Sequence, residues 1–161
     1  MKQMYKSLFV MIAFILSFAL IVPPEALHAA KSNNTEAKTP PPPSEFYIEG
    51  FFDPSFKYLD QGESNTLDKG NQTAEITVTT VAKQTVASIG ATIYLEKWTG
   101  SAWVQVGTPA QLSSSNKMQF NGYAVYGIVS GYYYRARTVH WVSHNGVYEQ
   151  GERVTNTILA K

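Results

Sequence analysis

The sequence predicts an all-β protein, an antiparallel β-sandwich of about seven short strands. Two observations support this prediction. From residue 46 onward apolar side chains recur at every second position, as in "TAEITVTTVA", where Ala74, Ile76 and Val78 alternate with polar residues. Turn residues separate these segments at short intervals, and no segment in this part has helical periodicity with capping residues.

The first half of this region contains three predicted strands. "FYIEGFF" is the first, and "TAEITVTTVA" is the second. Between them, residues 53–72 are rich in turn residues, with Asp-Pro, Gln-Gly and Lys-Gly steps, and are predicted to be irregular. The third strand, "ASIGATIYLEKW", has an inward row that comprises Ile89, Ala91, Ile93 and Leu95.

The second half begins with a predicted hairpin. Thr99 and Gly100 form a tight turn into "AWVQV", so that residues 89–106 are predicted to be a β-hairpin. Three more segments have strand character: "KMQFNGYAVYG", "SGYYYRARTVHWV" and "ERVTNTILA". Ser113 to Ser115, which precede the first of them, are predicted to lie in a flexible loop.

Residues 1–30 have the three parts of a secretory signal peptide. "MKQMYK" is positively charged, an apolar run follows to Val22, and the stretch ends in Ala29 and Ala30. We expect cleavage after Ala29 or Ala30; the alternative is an uncleaved membrane anchor. The expected protein is secreted and has no stable membrane anchor after cleavage.

Residues 31–45 are predicted to be a proline-rich, disordered spacer in front of a sandwich domain at 46–161. The segment "KSNNTEAKTPPPPSE" has no apolar residue larger than alanine and contains four consecutive prolines. Such a composition cannot bury enough surface to order itself, and the prolines favour an extended polyproline II conformation. A proline run of this kind is alternatively a ligand for aromatic-lined grooves.

Charge and cysteine content exclude several kinds of partner and stabilisation. Removal of residues 1–29 takes away Lys2, Lys6 and Glu25 and leaves 11 basic and 11 acidic side chains. Nucleic acids and anionic membranes select a basic excess, so neither is an expected partner. The chain has no cysteine, so no disulfide stabilises it.

The aromatic segment "SGYYYRARTVHWV" separates into two faces by parity. Arginine is almost never buried without a partner, so the face with Arg135 and Arg137 is predicted to point outward. The opposite face, with Tyr132, Tyr134, Ala136, Thr138, His140 and Val142, is predicted to point into the core.

The outward face is a candidate binding surface. On the neighbouring strand, Glu96 is predicted to meet Arg135 or Arg137 across the ladder, with aromatic rings against the guanidinium planes. This face either braces the sheet or forms a platform for a sugar or a protein partner. The candidate binding residues are Tyr133, Arg135, Arg137, Trp141, Tyr94, Glu96 and Trp98.

Two resemblances extend this reading. The stretch "YAVYGIVSGYYYRAR" resembles the corner between strands E and F of fibronectin type III and immunoglobulin-like domains, which implies that Tyr134 is a corner tyrosine bonded to upstream backbone. "IGATIYLEKWTGSAWVQV" together with "SGYYYRARTVHWV" is similar to a family of small secreted proteins of unknown function from Bacillus and related Gram-positive bacteria. That resemblance runs from about residue 57 to the C-terminus, implies secretion and an all-β fold, and brings no catalytic residues.

Catalytic and metal-binding patterns are weak in this chain. His140 and His144 are too far apart on a strand to share an ion. The acids of residues 53–68 (Asp53, Asp60, Glu63 and Asp68) match no calcium-loop spacing, although a weak calcium site there stays open. No serine lies in a nucleophile motif and no pair of acids stands out, so we expect neither an enzyme nor a cofactor.

The sequence therefore predicts a secreted, non-catalytic recognition module or cell-surface or wall-associated module. Its expected partner is a glycan, a cell-wall polymer or a protein. Two alternatives remain open. One is a secreted effector, a toxin or antimicrobial, in microbial competition; the other is a glycoside-type hydrolase with an acid pair that the sequence does not mark.

Overall fold

The structure is a computed structural model that describes residues 35–44 and 50–161. The described residues form eight strands, all paired antiparallel, which confirms the all-β prediction. The predicted signal peptide, residues 31–34 and 45 of the predicted spacer, and residues 46–49 of the first predicted strand lie outside the described residues. The strands are β1 (Gly50–Phe51), β2 (Leu59–Gly70), β3 (Thr73–Trp98), β4 (Trp103–Gln105), β5 (Ala110–Gly127), β6 (Tyr133–His144), β7 (Val147–Val154) and β8 (Ile158–Leu159).

No helix occurs in this part of the chain, and thus no helix long and apolar enough to cross a membrane. The predicted hairpin is present over its turn end, where β3 and β4 pair from Trp98 and Trp103 back to Glu96 and Gln105. Ile89 to Ile93, which the prediction included in the hairpin, pair with β5 instead.

Strand β3 organises the sheet, because it belongs to both of its layers. Its first half pairs with β2 on one side, and its second half pairs with β6 on that same side. Strand β5 follows the other side along almost the whole length. The sheet therefore curls into two layers. The first layer contains β1, β2 and the first half of β3, and the second layer contains the second half of β3, β6 and β7.

The two strands predicted over residues 73–82 and 87–98 are thus one strand of 26 residues. The pairing of β3 with β5 shifts register between Val81 and Val86. Inward residues carry even numbers before this irregularity, as in Ile76, and odd numbers after it, as in Ile93, and both are fully buried. The predicted inward rows are correct on both sides of the shift, because a bulge changes which parity faces the core.

Apolar side chains from both layers fill the space between them. Leu59 comes from β2, Ile76 and Leu95 from the two halves of β3, and Val142 from β6, and each is at most 1% exposed. Burial of such side chains contributes about 25 cal/mol per Å² of apolar surface. In a chain without cysteine, this core is the main source of stability.

Residues 53–72 were predicted to be irregular, and this prediction is wrong for most of them. Strand β2 pairs with β3 from Leu59 opposite Ala82 to Gly70 opposite Thr73. Its inward side carries small or polar residues, among them Ser64 and Thr66, both buried. Hydrophobic alternation therefore does not reveal this strand.

The flexible loop predicted at Ser113 to Ser115 is also wrong. These serines lie in β5, opposite Gly90, Ile89 and Ser88. The strand predicted as "KMQFNGYAVYG" is the second part of this longer strand, which has 18 residues. Strand β5 is mostly exposed, so alternation of apolar residues is weak along its first part.

A polar cluster around His140 fills the part of the core beside β2. His140 is fully buried, and its Nδ1 and Nε2 lie 2.8 Å and 3.0 Å from the hydroxyls of Thr80 and Thr138. The Thr138 hydroxyl also bonds to Ser64 at 3.0 Å. Burial, with a smaller contribution from the charge of Arg153, lowers the pKa of His140 from 6.5 to about 4. The ring is therefore neutral in the folded protein at neutral pH.

Glu149 of β7 anchors the chain that leads into β2. Its carboxylate accepts hydrogen bonds from the backbone N–H groups of Lys57, Tyr58 and Leu59, the last two at 2.8 Å. Burial alone would raise the pKa of Glu149, but these three hydrogen bonds outweigh it, and the net effect lowers the pKa. The carboxylate thus holds this chain segment against the second layer.

We expect His140 to make folding sensitive to acid. The pKa of His140 is about 4 in the folded chain, whereas its ordinary value is 6.5. As the pH falls from 6.5 to 4, the unfolded chain therefore binds a proton at His140 and the folded chain does not. This proton uptake should remove about 3 kcal/mol of stability by about pH 4, with no further loss from this group below it. Urea unfolding at several pH values measures the loss, and His140→Gln should lack this component. An equal pH dependence in both proteins would contradict the assignment.

Removal of the Glu149 anchor should destabilise the fold. Glu149→Ala leaves three backbone donors without their acceptor, so we expect a loss of about 2 kcal/mol in urea unfolding at neutral pH. Because the folded pKa lies below the ordinary value of 4.5, the difference should shrink as the pH falls below that value. Glu152→Ala, on the same strand with a half-exposed side chain, is the control and should cost less than about 1 kcal/mol. Equal losses in the two variants would argue against the anchor.

Candidate binding face

The outer side of the second layer carries a row of charged and aromatic side chains. The register places Tyr94 opposite Arg137 and Glu96 opposite Arg135 on β3 and β6. Residues directly opposite each other in an antiparallel ladder contact through their side chains. We define the aromatic face as the outward residues Tyr94, Glu96, Trp103, Arg135, Arg137, Trp141, Tyr148 and Glu152.

Ion pairs connect three strands across this face. Glu96 accepts a hydrogen bond from Arg135 Nε at 2.8 Å and lies 3.6 Å from Arg137 Nε. Arg137 also donates to Glu152 of β7 at 3.0 Å. The side chains of Arg135 and Glu96 are each 13% exposed, whereas those of Arg137 and Glu152 are 31% and 54% exposed. The predicted contact of Glu96 with the arginines is therefore present, and it divides into a covered pair and an accessible pair.

Aromatic rings hold the two guanidinium planes. The Arg135 guanidinium carbon lies 4.3 Å from the centroid of a Trp103 ring, and that of Arg137 lies 4.1 Å from the centroid of Tyr94. Such cation–π contacts contribute about 0.5–1 kcal/mol at exposed sites and more when covered. The guanidinium group of each arginine is therefore held by both an aromatic ring and a carboxylate.

Trp141 lies over the backbone of β3 because its partner there is a glycine. Gly90 pairs with Trp141, and a Cβ at this position would come within 2.8 Å of the indole and 2.2 Å of the Leu112 carbonyl oxygen. Tyr148 of β7 stacks beside the indole, with ring centroids 6.1 Å apart and planes inclined by 25°. Burial, and to a smaller extent Tyr94, raises the pKa of Tyr148, so its hydroxyl stays protonated. Tyr148 is 58% exposed and Trp141 is half-buried, so a ligand can reach this aromatic pair.

Trp98 is on the same outer side, but it is not exposed as the strand parity predicts. It is 7% exposed, and its indole N–H donates to the Pro40 carbonyl at 3.0 Å. Trp103 packs on it with ring centroids 5.4 Å apart. A segment far away in the sequence therefore covers a residue that the local pattern predicts to be accessible.

The cover belongs to residues 36–44, which we call the proline strap. Lys38 N–H donates to the Gly131 carbonyl at 2.7 Å, and the Lys38 ammonium lies 5.1 Å from the Tyr132 ring. Further along, Pro41 to Ser44 line a groove of about 350 Å³ together with Tyr133, Thr157 and Leu159. The strap has no regular secondary structure, and it contacts the sheet, which the prediction of a disordered spacer did not include.

The two tyrosines at the start of β6, Tyr133 and Tyr134, lie on opposite faces of the sheet. Tyr133 lies on the outer side at the strap end of the aromatic face, where it lines the groove beside Pro41 to Ser44. Tyr134 is 2% exposed, and its hydroxyl accepts a hydrogen bond from the backbone N–H of Val129 at 3.0 Å. This upstream backbone bond is the contact that the corner resemblance implies for Tyr134.

Among residues 35–44 and 50–161, no three His, Asp or Glu side chains lie close enough together to hold a metal ion. Asp60, Glu63 and Asp68 lie on strand β2 and not in a loop. His144 is the last residue of β6, and its Nδ1 accepts a hydrogen bond from the Ala87 N–H at 3.1 Å.

Sequence reasoning missed Trp103, Tyr148 and Glu152. Trp103 is on the short strand of the predicted hairpin, and its pairing with Trp98 would have placed it on the outer side. Tyr148 lies on the N-terminal part of β7, which was not predicted as a strand, and Glu152 is the first residue of the predicted segment "ERVTNTILA". The outward positions Tyr148, Gln150 and Glu152, which alternate along "VYEQGERV", offer one signal.

Comparisons with known proteins add little to this geometry. No protein-family model and no curated protein matches the chain. Among solved structures, the chain is similar to the solution structure of R. palustris CsgH, with 13% identity and a TM-score of 0.33 over 58% of this chain and 91% of that one. At this TM-score the likeness supports no argument about function.

The flat position of Trp141 should depend on Gly90. Gly90→Ala places a methyl group against the Leu112 carbonyl and the indole, so we expect a loss of about 1–3 kcal/mol and a changed near-ultraviolet circular dichroism signal. Gly127→Ala is the matched control, because a Cβ there meets no atom within 4 Å, and it should change stability by less than about 0.5 kcal/mol. A Gly90→Ala protein with unchanged stability and spectrum would show that the close contact is absent.

Proposed function

We propose that the protein is a secreted, non-catalytic recognition module that binds a neutral glycan on the aromatic face. The single observation that supports this is the accessible Trp141–Tyr148 pair beside the Arg137–Glu152 ion pair. It combines a flat apolar surface with hydrogen-bonding groups at its rim, which is the combination that a sugar ring requires.

Sugar rings expose patches of C–H groups that pack on aromatic faces, and hydroxyl groups that need donors and acceptors. Tyrosine and tryptophan present an apolar ring with a polar tip, so they contact both kinds of group. Arg137 supplies donors, Glu152 supplies acceptors, and Gln150, which lies opposite Trp141, supplies both. The Glu96 and Arg135 pair beneath them is mostly covered and positions the accessible residues.

The charge of the aromatic face favours a neutral ligand over an anionic one. It carries two arginines and two glutamates, each arginine within 4 Å of a carboxylate. Their charges cancel, so the face generates no field that would steer a polyanion toward it. Among the partners expected from the sequence, a neutral glycan therefore fits better than an anionic wall polymer.

The two other expected functions have different experimental signatures. A secreted effector would inhibit the growth of neighbouring strains, and a glycoside hydrolase would release reducing sugar and lose that activity on mutation of one acid. No specific contact among the described residues favours either of them.

The glycan proposal predicts that binding depends on the aromatic pair. We expect the purified protein to sediment with chitin, cellulose or purified peptidoglycan. Tyr148→Ala and Trp141→Ala should each weaken this binding about tenfold or more, as aromatic residues at the centre of an interface do. Tyr123→Ala is the matched control, because Tyr123 is a 63% exposed tyrosine on β5, on the outer side of the first layer.

Sedimentation with increasing amounts of each polymer measures the affinity of all four proteins. Salt should change the affinity little, since the face has no net charge. The proposal fails if the parent protein binds none of the three polymers, or if the Tyr148→Ala and Trp141→Ala proteins bind as tightly as Tyr123→Ala.

A further inference from the structure

Among the residues that the structure describes, few hydrogen bonds join the proline strap to the sheet. The two backbone carbonyls involved belong to Gly131, which accepts from Lys38 N–H at 2.7 Å, and Pro40, which accepts from the Trp98 indole at 3.0 Å. Residues 40–43 are prolines without an N–H group, so they cannot donate a ladder bond to the sheet. The strap is therefore held mainly by contacts of its rings and side chains.

Beneath the strap lie Trp98, which bonds to Pro40, and Tyr133, Thr157 and Leu159, which line the groove beside Pro41 to Ser44. We call these four residues the aromatic groove. Trp98 continues the outward row of Tyr94 and Glu96 on β3, and its ring is 7% exposed because the strap covers it. Tyr133 lines the groove beside Pro41 to Pro43. Aromatic-lined grooves bind proline-rich segments because these segments are already extended and lose little entropy on binding.

Two features show that the strap fits its groove imperfectly. The Thr39 hydroxyl is buried and has no hydrogen-bond partner among the described residues, which costs about 1–3 kcal/mol on docking. About 350 Å³ stays open between Pro41 to Ser44 and the side chains of Tyr133 and Leu159. A permanent part of the fold would be expected to satisfy the hydroxyl and to fill the groove.

We propose that the aromatic groove is a binding site for a proline-rich segment, occupied reversibly by the chain's own proline strap. Because strap and groove share one chain, the effective concentration of the strap is on the order of millimolar, and a weak contact suffices to keep it docked. Release uncovers Trp98 and Tyr133 without any change in the β-sheet.

Release also lengthens the aromatic face. Trp98 touches Trp103, which stacks on Arg135, so an uncovered Trp98 extends the row of rings toward Tyr133. This consequence rests on the proposed glycan function: a ligand longer than the exposed face would compete with the strap for Trp98. The strap as a reversible ligand of the groove does not depend on it.

Hydrogen exchange in the unmodified full chain tests whether the strap is reversible. The indole N–H of Trp98 is bonded to the strap, so it should exchange at least about a hundredfold faster than the backbone amides at the centre of β3, which open only on global unfolding. Nuclear magnetic resonance resolves both kinds of proton. If the Trp98 indole exchanged as slowly as those amides, the strap would be a permanent part of the fold and the proposal would be wrong.

A second experiment tests whether the groove recognises proline. Replacement of Pro40 to Pro43 by serine should speed Trp98 indole exchange at least about tenfold, and a synthetic peptide of residues 36–44 should slow it again and shift the indole signal. In the unmodified chain, the same peptide should slow Trp98 indole exchange at least about tenfold less, because the chain's own strap competes for the groove. Pro109→Ser, a proline outside the strap, is the control and should behave as the parent.

Failure of the peptide to bind the four-serine variant would overturn the groove as a proline site, even if Trp98 is exposed there. Equal peptide binding by parent and variant would show that the strap does not occupy the groove. If the variant fails to fold, exchange of the Trp98 indole in the unmodified chain still decides the question. Loss of glycan binding in all proteins would count against the proposed function and not against the strap.

Discussion

The irregularity of β3 between Val81 and Val86 is the constraint on which the rest of the structure depends. In an uninterrupted strand, side chains alternate strictly, so a row that begins inward at Ile76 would send Ile93 to the solvent. The register shift changes the parity, and both halves of β3 bury their apolar row against the same core. One strand can therefore belong to both layers, and no second sheet has to be formed separately.

The same shift determines which residues form the outer surface. After it, the even-numbered residues of β3 point outward, and so Tyr94 and Glu96 meet the outward arginines of β6. The ladder fixes these pairs at the separation of neighbouring strands, and the rings of Tyr94 and Trp103 restrict the guanidinium planes from the side. The aromatic face is therefore pre-organised, which reduces the entropy that a ligand loses by ordering it.

Alternation of apolar residues predicted the strands around β3 and β6 and the faces they present, because those strands line an apolar core. It did not predict β2, where the inward residues Ser64 and Thr66 bond to polar groups of the opposite layer. A strand that packs on a polar core has no apolar period to detect. Nor did it predict the burial of Trp98, since strand parity describes one sheet face and carries no information about a distant segment that covers it. The pairing of Glu96 with arginine was predictable because it depends on local register alone.

The buried polar cluster explains how the fold tolerates a histidine at its centre. His140 lies between two threonine hydroxyls, each of which both donates and accepts, so either tautomer of the neutral ring finds partners. A charged ring would lose its hydration and face the nearby Arg153, which is why burial lowers its pKa. Satisfied polar groups in a core of this kind cost little stability, yet they specify which strands lie together. Thr80, Thr138 and Ser64 come from three different strands, so the cluster aligns β2 with β6 across the core where apolar packing alone would leave their register open.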